Sequence, residues 1–475
     1  MLRTRHCGAA LLLALATPAQ SLVTGSALPY APRFAGDVNG DGIDDYTGQT
    51  GGAAYVHNGA SGSAFPLFTR TPGSGGYTAC GDVDADGRDD LVFHASSGLV
   101  LLVSGANAAT LRTWTVPAVG LSFTGAVRGA DFDGDGCSDV VLIANTVLEI
   151  YSGRTGALMS WEPYSSLGTG NPPEAVVGDW NGDGHSDLAI TLPVIGSVRI
   201  LAGPSFTPTV LVGGLFGTNP YGVLGDVAGN GTSAIASQIV VPGQTALLDG
   251  IGGAVIGLLP QSTVRHFGDA DGDGHDDFML FSGFPLLDGL TSGRTLTRLP
   301  STIAPLNIAS PGYGDIDGDG RQDGWTNTGG QAAIARWVDP AVPQASRVAR
   351  RGRSGSTTSG LRPRLHARGH CGLGSTLRLD VRGLLPNGLS VLAFGSAVDV
   401  DLAPLGAPGN RQYASLDGVS LLPTSAVGLG QATLAIPNNP ALLGASVSLQ
   451  AAAVEPAANA LGLVTSNALD VRVDN

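Results

Sequence analysis

Lysine is absent from all 475 residues, and glutamate occurs only at Glu149, Glu162, Glu174 and Glu455. Long solvent-exposed helices draw heavily on both side chains, so their loss argues against helical solenoids and bundles. Charged residues of every kind amount to 13%. With lysine absent the basic side chains are arginines, and no long basic segment occurs apart from one stretch between Arg347 and Arg368, which leaves nucleic-acid binding with little support. No apolar run reaches the roughly 18 to 20 residues that a membrane-spanning helix needs. Cysteine is scarce, four in all. What is plentiful is glycine, 72 residues beside 43% hydrophobic content, the composition of a β-rich chain dense in turns.

Residues 1–20 are predicted to be a secretory signal. Arg3, Arg5 and His6 precede an apolar run from Ala9 to Ala16, with the small residues Ala14, Ala16 and Ala19 near possible cleavage points. The expected location is therefore secreted or cell-surface, with the periplasm as the other compartment the signal allows. Cys7 leaves with the signal. Cys80 precedes one acidic loop and Cys137 lies inside the next, so a disulfide between them and isolated thiols are both open, with Cys371 as the third remaining thiol.

A short acidic loop, D-x-[DN]-x-D-G-x-x-D or its remnant, recurs seven times, starting at Asp37, Asp82, Asp131, Asp179, Asp226, Asp269 and Asp315. The starts are 45, 49, 48, 47, 43 and 46 residues apart, long enough for one small antiparallel sheet and too short for an independent domain. Each unit must bury its apolar faces against its neighbours.

The alternating oxygens predict a hard cation, Ca²⁺. The expected ligands are Asp37, Asn39, Asp41 and Asp45; Asp82, Asp84, Asp86 and Asp90; Asp131, Asp133, Asp135 and Asp139; Asp179, Asn181, Asp183 and Asp187; Asp269, Asp271, Asp273 and Asp277; and Asp315, Asp317, Asp319 and Asp323. Position six is glycine in all copies (Gly42, Gly87, Gly136, Gly184, Gly231, Gly274, Gly320), as a turn with positive φ demands. Position seven varies without chemical pattern, which suits a residue that offers only its backbone carbonyl; His185 and His275 there are expected to face solvent. The fifth copy has Ala228 and Ala234 at two ligand positions. Six calcium sites are expected, and six ions would bring the formal charge of −14 to about −2.

Each loop is followed by a short β-type run, such as Asp90-Leu-Val-Phe-His-Ala or Asp187-Leu-Ala-Ile-Thr-Leu, and not by the amphipathic helix of an EF-hand. Hairpins come next, for example Leu99 to Ser104 with Thr110 to Val116, and Leu286 to Leu287 with Thr295 to Leu299. Four strands per repeat and seven repeats predict a seven-bladed β-propeller over residues 30–350.

The segments Phe34-Ala-Gly-Asp-Val-Asn-Gly-Asp-Gly, Gly178-Asp-Trp-Asn-Gly-Asp-Gly-His-Ser-Asp-Leu and Phe267-Gly-Asp-Ala-Asp-Gly-Asp-Gly-His-Asp-Asp resemble the FG-GAP/VCBS repeat family, whose module also forms the head of integrin α subunits. The resemblance implies a seven-bladed propeller with calcium in the loop joining the first two strands of a blade. If so, the hairpin turns between third and fourth strands share the calcium face, and the longer blade-to-blade connections lie opposite. Tyr164, Asn171, Phe216, Asn219 and Tyr221 on those connections are nominated as a ligand-binding patch, with aromatic rings plugging blade junctions as the alternative.

Residues 351–369 form the core of an arginine-, glycine- and serine-rich linker that begins at Arg347. From 370 to 475 the loops stop and strand patterns continue, predicting a small C-terminal β-sandwich. No G-x-S-x-G, H-E-x-x-H or phosphate-binding glycine loop occurs in usable context, and no catalytic residue is nominated. The functions left open are a calcium-dependent binding or adhesion module for an extracellular glycan or protein, a polysaccharide-active hydrolase or lyase with its site at the propeller opening, and a structural envelope protein.

Overall fold

A computed structural model describes residues 19–473, apart from 29–32, 69–75, 116–124, 164–174, 213–220, 282–288, 300–312, 339–347 and shorter stretches within loops, including 41–42, 182–184, 271–274 and 315–321. The described chain is all-β with propeller-like sheets. Among the described residues there is no α-helix and no helix long and apolar enough to cross a membrane.

Seven small antiparallel sheets follow one another, each straddling one acidic loop. The second is representative: Tyr77–Gly81 enters the loop, Asp90–His94 leaves it, and the hairpin Leu99–Val103 and Thr110–Thr115 completes the sheet. In the second to sixth sheets the strand leaving the loop is buried on both faces, which is why it reads as an apolar run. Alternation then sends successive side chains to different neighbours. Leu91 packs with Ala54 and Val56 of the first sheet, while Val92 packs with Val140 and Leu142 of the third. Val141 and Ile143 meet Leu188 and Ile190 of the fourth. Ala189 turns to Val223 and Ile235 of the fifth, whose Ala234 and Leu247 meet Phe278 of the sixth. The cores lie between sheets and not within them, as the length of the repeat requires.

Among the described residues, four strands are not seen in every repeat. The first and sixth sheets have three described strands, and the partner expected at 295–299 is reduced to a single bridge between Thr291 and Arg298. The seventh sheet gains its fourth strand from the chain start: Ala19–Leu28 pairs antiparallel with Gln331–Val338, in register from Ala19 opposite Val338 to Leu28 opposite Ala332 with one irregularity. The last two residues of the expected signal segment thus lie in this strand, and residues 1–18 are outside the described residues. The seventh sheet also touches its neighbours on either side. A Cβ on Gly324 would lie 2.8 Å from Phe267 of the sixth, and one on Gly314 would lie 2.4 Å from Phe34 of the first.

The arginine-rich stretch is not a plain tether. Val348–Arg351 pairs with Leu463–Arg472, and Arg364–Arg368 pairs with Thr376–Arg382. Arg351 is drawn in because its guanidinium can satisfy several buried acceptors together. It holds Asp470 at 2.6 Å, donates to the carbonyls of Val398 and Tyr413 at 2.7 Å, and lies over the Tyr413 ring. The strands expected from 370 onward are present, among them Ser446–Val454 and Leu463–Arg472. A five-stranded and a three-stranded sheet enclose one core that includes Leu365, Leu377, Leu379, Leu449 and Val471. Cys80, Cys137 and Cys371 are buried, and Cys80 and Cys137 are not joined, so the disulfide alternative does not hold.

The pairing at the chain start generates a test. A chain beginning at Pro29 leaves Gln331–Val338 with an unpaired edge and is expected to melt several degrees below a chain beginning at Gln20 and to self-associate. Thermal scans with size-exclusion chromatography measure both, and equal melting of the two chains would contradict the pairing.

Candidate metal centres

The ninth loop position is the best defined. One carboxylate oxygen accepts the backbone N–H of position two: Asp45 from Val38 at 2.9 Å, Asp90 from Val83 at 2.8 Å, Asp139 from Phe132 at 2.8 Å, Asp187 from Trp180 at 2.9 Å and Asp277 from Ala270 at 2.8 Å. The other oxygen accepts from a hairpin glycine, Gly59, Gly105, Gly153, Gly203 or Gly293, at 2.8–3.0 Å. All five aspartates are fully buried. Expected only as metal ligands, they also clasp each loop to the turn between the third and fourth strands. The clasp puts loop and hairpin turn on one face, as strand parity requires.

The hairpin glycines are functional residues that the loop motif does not flag. A Cβ at Gly153 would lie 1.9 Å from the Ser138 carbonyl oxygen, one at Gly105 2.2 Å from that of Asp89, and one at Gly293 2.2 Å from that of Asp276. Their signal is a glycine 22 to 24 residues after each of the first six loop starts. In the fifth repeat Ala234 cannot clasp, and Gly250 N–H instead donates to the Ser233 carbonyl at 3.0 Å. The flanking strands Tyr221–Val223 and Ala234–Ser237 still form.

Position eight binds successive loops together. Its N–H donates to the position-one carbonyl of the preceding loop, as from Asp89 to Asp37 and from Ser138 to Asp82 at 2.8 Å, and from Gln322 to Asp269 at 2.8 Å. Its side chain accepts the position-one N–H where it can: Asp89 from Asp37 at 3.1 Å, Ser233 from Asp179 at 3.2 Å and Asp276 from Asp226 at 2.8 Å. Burial opposes ionisation of Asp276, but bonds from His266 and the Asp226 N–H hold its carboxyl below the usual range. His275 does not face solvent. It is half-buried, and Nδ1 meets the Val227 carbonyl at 2.8 Å, because the fifth loop packs against it.

Two loops gather acidic oxygens within 4.8 Å of one another, Asp82, Asp84 and Asp86 in the second and Asp131, Asp133 and Asp139 in the third. Gly87 has φ of +92°, the turn expected of position six; the other six glycines of that set lie outside the described residues. Burial pushes the Asp82 carboxyl up to about 6 against the pull of Arg364 and the Gly87 N–H. Burial also raises Asp135 to about 6. Asp139 reaches about 8 through burial and then the charges of Asp133 and Asp131. Asp90 is driven well above the carboxylate range by burial and then by Asp84 and Asp82. Such buried, mutually repelling carboxylates suit a cation with oxygen preference, and the donor set fits Ca²⁺.

Of the other expected ligands, Asp37, Asp179 and Asp323 are buried, and Asn39 donates to Asp45 at 3.3 Å. The N–H of Asn181 donates to Asp187 at 3.3 Å, and Asp269 is half-buried. Asp41, Asp183, Asp271, Asp273, Asp315, Asp317 and Asp319 lie outside the described residues, as do Tyr164, Asn171, Phe216 and Asn219 of the nominated patch. Tyr221 opens a strand with its backbone opposite Ser237.

Residues 131–190, from the third loop through the strand after the fourth, match the model of the FG-GAP-like repeat. The chain carries an FG-GAP-like repeat. Among solved structures it is similar to BBS1N in complex with ARL6DN, soaked with mercury, at 12% identity and TM-score 0.42, over 68% of this chain and 95% of that one. It is also similar to BamB from Moraxella catarrhalis, at 10% identity and TM-score 0.32, over 62% and 79%. Both neighbours are β-propeller proteins. No curated protein sequence matches the chain.

Two outcomes follow for the acidic repeats. Gly153→Ala forces a methyl group into the Ser138 carbonyl and is expected to destabilise by about 1–3 kcal/mol in urea unfolding. Gly243→Ala has open space around its Cβ and pays only the left-handed backbone penalty of about 1 kcal/mol. Asp139, Asp82 and Asp135 bind protons more tightly folded than unfolded, so they favour the metal-free fold fully below about pH 4. That contribution is lost as pH rises through about 6 for Asp82 and Asp135 and about 8 for Asp139. Melting of chelator-treated protein is therefore expected to fall between pH 5 and 8; a flat or rising profile would contradict these environments.

Proposed function

We propose that this chain is an exported, calcium-stabilised seven-bladed β-propeller with a C-terminal β-sandwich, and that it works as a binding module for an extracellular glycan or protein. The observation that carries the reading is the pair of three-carboxylate clusters in the second and third loops, each built on a clasp that recurs in phase along the chain. Seven loop-centred sheets, with the chain start supplying a strand to the last, support a ring closed by joining its two ends. Calcium in this reading neutralises buried acids and is structural, at the roughly 10⁻⁴ to 10⁻³ M affinity of extracellular modules. The clasps crowd the calcium face with loop and turn, and recognition is assigned to the opposite face and its long connections.

Metal analysis at millimolar calcium is expected to find six ions, and chelation is expected to lower the melting temperature. Seven ions, fewer than five, or a melt indifferent to chelator would overturn the calcium reading. Glycan arrays and cell-surface binding with calcium present test recognition. Alanine at Tyr164, Phe216 and Tyr221 is expected to abolish the signal, and binding that survives all three changes removes the patch.

A further inference from the structure

The C-terminal sheets reach into the second acidic loop. Arg364, the first residue of the strand Arg364–Arg368, places Nη2 on the Oδ2 atom of Asp82. Asp82 is 1% exposed and the Arg364 side chain 23%, so water screens the pair poorly. The guanidinium is not on a loose stalk. Its neighbour Leu365 donates its N–H to Asn467 Oδ1 at 2.9 Å, accepts from Asn467 Nδ2 at 3.0 Å, and sits in the C-terminal core. Asp89, Asp90 and Asp37 add to the negative field on Arg364, and Arg362 acts on Asp84 in the same loop.

Asp82 holds position one, a ligand position in the calcium reading on which this inference rests. Its Oδ2 already accepts the Gly87 N–H at 2.9 Å as well as the arginine, while Oδ1 accepts from Asp86 at 3.0 Å. A divalent ion at the loop centre would share that carboxylate with a guanidinium and be repelled by it at close range. The two cations must therefore oppose each other, and by linkage whatever arginine costs the metal, the metal costs the arginine contact.

We propose that the second loop is a cation-exchanged latch. Arg364 fills it when the C-terminal sheets are docked on the repeat sheets, and Ca²⁺ entering the loop displaces the guanidinium and loosens the dock. The second loop then fills at higher calcium than the third and couples calcium to the placement of the C-terminal sheets.

Hydrogen exchange by mass spectrometry on the full chain, at rising calcium, reads the loops separately. Peptides within 79–93 and 128–142 report the second and third loops, and peptides within 362–368 report the latch strand. In the unmodified chain the third loop is expected to gain protection at lower calcium than the second, and 362–368 to exchange faster as the second loop fills. Arg364→Gln is expected to move the second-loop midpoint about tenfold lower, the size of one well-formed buried charge contact, with the third loop unmoved. A second-loop midpoint unchanged by Arg364→Gln, while the third loop responds, overturns the latch alone. No response at either loop up to about 10 mM calcium overturns the calcium reading and the latch with it. If the variant loses protection throughout 348–472, the unmodified chain decides: no rise in exchange at 362–368 as the second loop fills overturns the latch.

Discussion

One carboxylate bridging two backbone N–H groups holds together each of the five repeats in which the clasp is described. The ninth-position aspartate joins position two of the acidic loop to the glycine of the next hairpin, and without it those two turns would have no common anchor. A buried N–H left without an acceptor costs on the order of 1–3 kcal/mol, and each of these aspartates satisfies two. The close approach that this requires leaves no room for a side chain at the hairpin turn, so the aspartate and the glycine are one constraint written at two places in the sequence. Burying the carboxylate raises its proton affinity, and with Asp133 and Asp131 beside Asp139 that becomes a local surplus of negative charge. A cation in the loop, as proposed, would offset a cost that the architecture itself creates.

The same constraint organises the contacts between repeats. Because the clasp fixes the loop, position eight is carried to the start of the preceding loop, where its N–H and, in several repeats, its side chain complete that loop. Asp89 and Asp276 are acidic for this reason, while Ser186 and Ser233 do the same work with a hydroxyl. The apolar contacts run between the same pairs of sheets. Polar and apolar cohesion thus act across one boundary, which suits a repeat too small to own a core.

Much of this is legible in the residues, and the exceptions have physical causes. The strands leaving the loops are readable because both faces are buried, making Asp139-Val-Val-Leu-Ile-Ala apolar at either parity. The C-terminal strands are readable from ordinary alternation. Gly153 and its counterparts are not, because what excludes a side chain there is a carbonyl from position eight, remote in sequence and chemically silent. The stretch around Arg351 and Arg364 reads as a tether because charge and small residues dominate it; its strands are set by long-range partners, Asp470, Asn467 and Asp82. The strand at Ala19–Leu28 is likewise set by a partner remote in sequence, Gln331–Val338, and only its first two residues fall within the expected leader.

The fifth repeat separates two roles that the other copies combine. With Ala234 in place of a carboxylate the clasp is gone, and with it an oxygen for the proposed cation, yet Gly250 finds the Ser233 carbonyl and Asp276 still caps Asp226. Its flanking strands persist, and Ala234 and Leu247 still pack with Phe278. The contact between sheets is thus the stricter requirement, and the metal loop is the part that can change. A second-loop carboxylate carrying an arginine from the C-terminal sheets follows the same logic. Once a loop's place is secured by its neighbours, its acidic centre need not be the same in every copy: the second meets a guanidinium, and the fifth has lost two of its side-chain oxygens.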